Sequence, residues 1–169
     1  MGRGISKVGG GGAVVKTFAL FHGSPQTDID EFDITKAGKN TLSGEHFLFF
    51  TDSRDAADEF SYERLPGSLL FDKRGKKGRI YEVDVSMSNP LDFTNLSKQD
   101  VKNVLKMSDG ELTESMIDKF SKGNNQLLKS YIDLNQISNF GYDGFIAKMN
   151  SKGDKEYAVL DSKKVKIKK

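Results

Sequence analysis

Two short segments of the chain carry side chains that can bind or act on a ligand. The first is Phe21-His22-Gly23-Ser24, in which an imidazole and a hydroxyl flank a glycine at the end of an apolar segment. A glycine at such a position lets a ligand approach the backbone closely. The second is Glu156, which opens the apolar segment 157–160. A carboxylate at the start of a buried strand loses hydration unless something binds it. Taken singly, each also fits an ordinary structural residue at a strand end.

Aromatic side chains lie between these segments. Phe47-Leu48-Phe49-Phe50-Thr51 is a short apolar run, and Phe60 follows nine residues after Thr51. Rings on a strand and on the next helix can sandwich a planar ligand. Packing in the hydrophobic core is the simpler explanation for any one of them.

Several chemistries are not supported by the sequence. The chain has no cysteine, which excludes disulfides, thiol catalysis and Cys-ligated metals. It has two histidines and no HExxH motif, so we expect no metal. No G-x-S-x-G elbow supports a serine triad. The glycine-rich segment 1–12 lacks the Lys-Ser or Lys-Thr pair of a phosphate-binding loop, and we interpret it as a flexible lead.

Length and composition favour a single globular domain. The chain has 169 residues, 36% apolar and 30% charged, which predicts one domain over 13–169 after the flexible segment 1–12. No apolar run approaches the roughly 18–20 residues of a membrane span, and no secretory signal is visible, so a cytoplasmic protein is expected. The net charge of +2 does not indicate nucleic-acid binding. We expect a monomer.

The periodicity predicts strands at both ends of the chain and helices between them, which is an α+β protein. Val101, Val104 and Leu105 form a helical stripe. Helices are predicted near 97–106, 111–121 and 124–138, and a further helix begins after Asp52 or Ser53 and reaches about Arg64. Strands are predicted over 14–21, 47–51, 80–86, 145–147, 157–160 and 163–169.

In this order the three segments resemble the ADP-ribosyltransferases of the His-Tyr-Glu class, which includes diphtheria-type toxins and poly(ADP-ribose) polymerases. The chain looks most similar to the small ADP-ribosyltransferase domains of polyvalent proteins of phages and mobile elements. The matching motifs are Phe21-His22-Gly23-Ser24, then Phe49-Phe50-Thr51 with Ala56, Ala57 and Phe60, and then Glu156-Tyr157-Ala158-Val159-Leu160-Asp161. Two further stretches look similar to the family, 81–91 and 141–146. The resemblance implies the ADP-ribosyltransferase fold: two small, mostly antiparallel sheets around an NAD cleft, here with a helical insertion at about 97–138.

The resemblance also implies roles for these residues. His22 would bind the adenosine ribose, Gly23 would hold the nicotinamide amide through its backbone, and Ser24 would add a contact. Phe49 and Phe60 would stack on the nicotinamide ring, with Phe50 and Thr51 beside them. Glu156 would be the catalytic residue, holding the 2′-hydroxyl of the nicotinamide ribose and stabilising the developing cation. The only cofactor implied is NAD⁺, as co-substrate.

Two positions differ from what is usual in the class. The middle aromatic of the class is normally Tyr, and this chain has Phe49, which keeps a ring face but loses a hydrogen bond worth roughly 0.5–1.5 kcal/mol. Asp154 stands two residues before Glu156, in a loop that faces the target in related enzymes. It is either a contact for the acceptor or an ordinary loop carboxylate.

The expected function is therefore transfer of ADP-ribose from NAD⁺ to a macromolecular acceptor, most simply a protein. A second reading is an NAD glycohydrolase, in which water is the acceptor. A third is a catalytically silent module that binds NAD or, through the basic residues of 73–79 and 163–169, nucleic acid. The sequence does not separate the first two readings, and the retained Glu156 argues against the third.

Overall fold

The structure is a computed structural model that describes residues 14–37, 46–66 and 74–169. The glycine-rich segment 1–12 and part of the basic loop 72–79 lie outside the described residues, so the predictions made for them stay predictions. The described chain combines a mixed sheet with several helices, which confirms the α+β class.

Within the described residues, seven strands form the sheet, in the order β4-β5-β6-β2-β1-β3-β7. Neighbouring strands are antiparallel except for β4 and β5, which are parallel. Side chains alternate between the two faces, as in any strand. The bounds are β1 Lys16–Ser24, β2 Leu48–Thr51, β3 Arg79–Met87, β4 Pro90–Asp92, β5 Gly144–Lys148, β6 Lys155–Val159 and β7 Val165–Ile167.

The joint between β1 and β2 divides the sheet into two halves. Only Phe21 and Thr51 are paired there, whereas β1 pairs with β3 over its whole length. The strand β1 runs on to Ser24 beyond its pairing with β2. The two halves therefore diverge at this point. The resulting cleft has His22 and Glu156 in its wall.

The described part of the chain contains four α-helices, each with a recognisable N-cap. Their bounds are α1 Arg54–Phe60, α2 Lys98–Met107, α3 Glu114–Lys122 and α4 Asn125–Ser130. The Ser53 side chain accepts a hydrogen bond from the Ala56 N–H, as an N-cap does. Ser97 and Asp100 form a capping box at α2. The helices α2 to α4, together with a 3₁₀ helix at Leu134–Phe140, form a helical block between β4 and β5.

Three element predictions were wrong in detail. The helix expected over 124–138 is two pieces, because the Asp133 side chain accepts the Asn135 N–H and starts a separate 3₁₀ turn. The spacing of Leu127, Tyr131 and Leu134 predicts an apolar face for this helix, but Leu128 is buried and Leu127 is 45% exposed. The helix after β2 ends at Phe60 rather than Arg64, because the chain then pairs Tyr62 with Lys77.

Each face of the sheet has its own hydrophobic cluster. One cluster joins the helical block to β2, β4, β5 and β6 and includes Phe47, Phe93 and Phe145, with Phe49 packed against it. The other lies on the opposite face and includes Leu20, Phe32, Phe50 and Tyr81. Because β2 alternates, Phe49 and Phe50 belong to different clusters. Among the described helices, none has the length and apolar character needed to cross a membrane.

Candidate active site

A cavity of about 1230 Å³ lies where β1 and β2 diverge. This volume exceeds the roughly 300–1,000 Å³ of pockets for drug-sized ligands, so it accommodates a dinucleotide. The predicted site residues meet in its wall, which contains His22, Gly23, Ser24, Phe49, Phe50, Thr51, Phe60 and Glu156. His22 and Glu156, 134 positions apart in the chain, thus line one space.

His22 is held by the neighbouring strand and by two rings. Its Nδ1 lies 2.8 Å from the Phe49 carbonyl oxygen. A carbonyl only accepts, so Nδ1–H donates and Nε2 is the ring nitrogen left with a lone pair. The Phe32 ring meets the imidazole edge-on with centroids 4.9 Å apart, and Phe50 lies at 5.6 Å. The imidazole is thereby fixed as an acceptor suited to a ribose hydroxyl.

Gly23 and Ser24 complete the end of β1. A Cβ atom on Gly23 would stand 1.7 Å from the carbonyl oxygen of Ala57 in α1. The glycine is thus required for helix α1 to pack on β1. The sequence predicted instead that the glycine lets a ligand approach the backbone of β1. The Ser24 Oγ accepts a hydrogen bond from the Gln26 N–H at 3.1 Å, and its own proton stays available to donate.

The aromatic residues of the site have unequal exposure. Phe50 is buried against His22 and Phe32, so it supports the imidazole from behind. Phe49 is partly buried beside Phe145, with centroids 6.1 Å apart. Phe60, the last residue of α1, is 36% exposed and so offers the cavity more ring surface than Phe50 does.

Thr51 and Glu156 face each other across β2 and β6 and therefore share a face of the sheet. The Thr51 Oγ1 accepts the Ser53 N–H at 3.1 Å, which ties the strand to the start of α1. The Glu156 side chain is only 15% exposed, and its Oε1 forms an ion pair with Lys129 of α4, which is 13% exposed. Gln126 Nε2 donates to the same oxygen at 3.1 Å. A buried carboxylate loses hydration, and these two donors replace part of it.

The sequence profile of a family described as "ADP-Ribosyltransferase in polyvalent proteins" matches residues 16–168. The chain belongs to this family. The match spans all seven strands and the helical block, and it confirms the family named from the motifs. ADP-ribosyltransferases use NAD⁺ as their substrate, and the cavity between β1 and β2 is large enough for it.

A comparison with solved structures finds a distant similarity. A crystal structure of an anti-CRISPR protein is 15% identical to this ADP-ribosyltransferase domain, with a TM-score of 0.44, and the alignment covers 90% of this chain and 96% of that one. No curated protein matches the chain.

Asp154 is held within its own loop in this ADP-ribosyltransferase domain. Its carboxylate accepts a hydrogen bond from the Asn150 side chain at 2.8 Å, and its N–H donates to Asn150 Oδ1 at 3.2 Å. These bonds shape the turn before β6. They favour the loop-carboxylate interpretation over the acceptor contact.

A metal site is not evident. Within the described ranges, no three or more His, Asp or Glu side chains form a group that could hold an ion. The residues that the sequence did not single out are Lys129, Gln126 and Phe32. They contact Glu156 or His22 only through the fold, so no local pattern marks them.

Protonation of His22 should make stability depend on pH. Burial lowers the pKa of His22 below its ordinary value of 6.5, outweighing the hydrogen bond to Phe49, which raises it. The unfolded chain titrates near 6.5 and so binds more protons than the folded one between that value and the lowered pKa. Stability is therefore fully present above pH 6.5 and falls as pH drops through this window.

We expect His22→Asn, which keeps a donor for the Phe49 carbonyl, to remove this part of the pH dependence. The measurement is denaturant unfolding of both proteins from pH 8 to pH 5. A difference in unfolding free energy between them that is constant over this range would contradict the assignment.

Proposed function

We propose that the protein cleaves the nicotinamide–ribose bond of NAD⁺ and transfers ADP-ribose to a macromolecular acceptor, in the first instance a protein. The observation that carries this proposal is a mostly buried carboxylate, Glu156, in the wall of the same cavity as the fixed acceptor nitrogen of His22. The family membership supplies the reaction class.

The placement of the residues supports a defined pose for NAD⁺. His22 Nε2 accepts from a hydroxyl of the adenosine ribose, and the backbone of Gly23, beyond the last pairing of β1 with β2, holds the nicotinamide amide. Phe60 offers an exposed ring face on one side of the cavity, and Phe49 offers a half-buried one. Stacking requires only ring faces, so Phe49 serves without the hydroxyl of the Tyr usual in this class.

Glu156 provides the electrostatics of the reaction in this proposal. The bond between the nicotinamide nitrogen and C1′ breaks, its electron pair leaves with nicotinamide, and positive charge develops on the ribose. A fixed carboxylate in a cavity of low dielectric stabilises that charge more than water does. The acceptor then forms a new bond to C1′, and its proton passes to Glu156 or to solvent.

A labelling experiment tests the proposal and its alternatives. The protein is incubated with NAD⁺ labelled in the adenine and with a cell lysate, and both released nicotinamide and labelled macromolecules are measured. Transfer predicts both products, whereas a glycohydrolase predicts nicotinamide without labelled macromolecules. No nicotinamide release, with no stabilisation by NAD⁺ in thermal unfolding, would rule out both enzymatic readings.

A further inference from the structure

A side chain of the helical block forms an ion pair with Glu156. Lys129 of α4 forms an ion pair with Glu156 Oε1, and its Nζ also lies 5.1 Å from the centroid of the Phe145 ring. Both charged side chains are mostly buried. The exposed pair of Lys122 and Asp118 in α3, by contrast, has side chains 75% and 65% exposed. A buried pair depends on geometry far more than an exposed one does.

The two side chains that donate to the Glu156 carboxylate bind the same oxygen atom. Gln126 Nε2 and Lys129 Nζ each donate to Oε1 of Glu156. Among the described residues, no hydrogen bond to Oε2 is made. One oxygen is thus anchored by protein and the other is open to accept from a ligand hydroxyl.

The helix α4 is itself fastened to the sheet beside Glu156. The buried Asn125 accepts the Lys148 N–H at 2.9 Å through Oδ1 and donates to the carbonyls of Phe120 and Ser121. Gln126 Nε2 donates to the Lys148 carbonyl at 3.0 Å as well as to Glu156. Lys148 ends β5 and is paired with Lys155, the residue before Glu156. The first turn of α4 therefore has a fixed position relative to the carboxylate.

We propose that the helical block is part of the active site: through Lys129 and Gln126 it holds Oε1 of Glu156 and leaves Oε2 for the ribose hydroxyl. This inference rests on the proposed function of Glu156 and assigns a role to the helical block between β4 and β5. Lys129 is a positioning residue, because it acts on the substrate through Glu156. A shift of about 1 Å in a catalytic group can cost on the order of 10²-fold in rate, which sets the expected scale.

Nicotinamide release by single variants tests the positioning role. Lys129→Met is expected to lower kcat by about 10- to 100-fold with the KM for NAD⁺ changed by less than about 2-fold. Lys129→Arg, which keeps the charge and the donors, should recover most of the loss. Gln126→Leu, which removes one neutral donor, should lower kcat by about 2- to 12-fold. Lys122→Met is the matched control from the exposed pair and should behave as wild type.

The double variant separates positioning from a direct contact with NAD⁺. In a Glu156→Gln background, Lys129→Met should cause less than about a 2-fold further loss, because the group it positions is already gone. An equal loss in both backgrounds would overturn the inference. So would a raised KM with unchanged kcat, which indicates a contact with NAD⁺, or a raised kcat, which indicates that Lys129 suppresses Glu156.

A second readout does not depend on activity. Thermal unfolding of Lys129→Met, Glu156→Gln and the double variant should be clearly non-additive, since the two side chains contact each other. If wild-type protein releases no nicotinamide, the proposed function fails, and this cycle alone decides whether Lys129 holds Glu156. Additive shifts in the unfolding midpoint would overturn the contact itself.

Discussion

Glu156→Gln is expected to lower kcat for nicotinamide release by about 10²–10³-fold with little change in the KM for NAD⁺. The substitution keeps the size of the side chain and an acceptor oxygen for Lys129 and Gln126, so the cavity keeps its shape. What is lost is the negative charge, which acts only as the ribose becomes positive. An interaction made in the transition state alone appears in kcat rather than KM.

The same substitution should also cost stability. Lys129 keeps a hydrogen-bond acceptor but loses its counter-charge, and both side chains are mostly buried. We expect the unfolding free energy to fall by about 1–3 kcal/mol. Activity is therefore measured well below the unfolding midpoint of the variant, so that the loss of rate is not a loss of folded protein.

Glu82→Gln is the matched control for this prediction. Glu82 is also a strand carboxylate with one basic partner, Arg54, but the two side chains are 54% and 58% exposed and the pair lies at 3.0 Å. An exposed pair contributes about 0–1 kcal/mol. We expect wild-type kcat and a stability change of less than about 1 kcal/mol. Equal activity of the two Gln variants would refute the catalytic assignment of Glu156.

The motifs predicted which residues share a cavity but not how each is held. His22, Phe49 and Glu156 were named because their motifs, in this order, resemble the His-Tyr-Glu class, and all three line the space between β1 and β2. The partners of the imidazole and the carboxylate, Phe32 and Lys129, come from segments with no motif. Lys129 is one of 26 basic residues in the sequence, and only the packing of α4 on β5 distinguishes it.

The fold was predictable where local signals agree with tertiary packing. Ser53 was one of the two expected caps of α1, and the strand predicted over 80–86 is β3, in which Tyr81, Val83 and Val85 are buried. Strand β4 was not predicted from the sequence, because the pair Asn89-Pro90 is typical of the end of a strand. Proline is tolerated at the first position of an edge strand, and β4 is such a strand, joined only to β5. The partner of β4 is β5, about 50 residues further along the chain, so local sequence does not reveal the pairing.

Gly23→Ala is expected to be the most destabilising single substitution in the site, costing about 3 kcal/mol or more. The added methyl carbon would lie 1.7 Å from the Ala57 carbonyl oxygen, 2.8 Å from its carbon and 2.9 Å from the Ser61 nitrogen. All three atoms belong to the backbone at α1, so no side chain can rotate away. Either α1 must leave β1 or the strand must bend.

The displacement would reach the cavity through α1. This helix carries Phe60 at its end, and its N-cap Ser53 is joined to Thr51 by a hydrogen bond. The binding of NAD⁺ should therefore weaken together with stability, in proportion to how far the helix moves. Denaturant unfolding gives the first quantity, and titration with NAD⁺ of the folded variant gives the second.

The control for Gly23→Ala separates the two reasons for a glycine in the motif. Gly123→Ala places its Cβ 3.3 Å from the Lys119 carbonyl oxygen, a contact that a small movement relieves, so we expect a cost below about 1 kcal/mol. If Gly23→Ala is no less stable than Gly123→Ala but fails to bind NAD⁺, the glycine serves the approach of the ligand. If stability and NAD⁺ binding are lost together, the glycine serves the packing of α1. The motif then contains a glycine because α1, the helix that carries Phe60, packs against it.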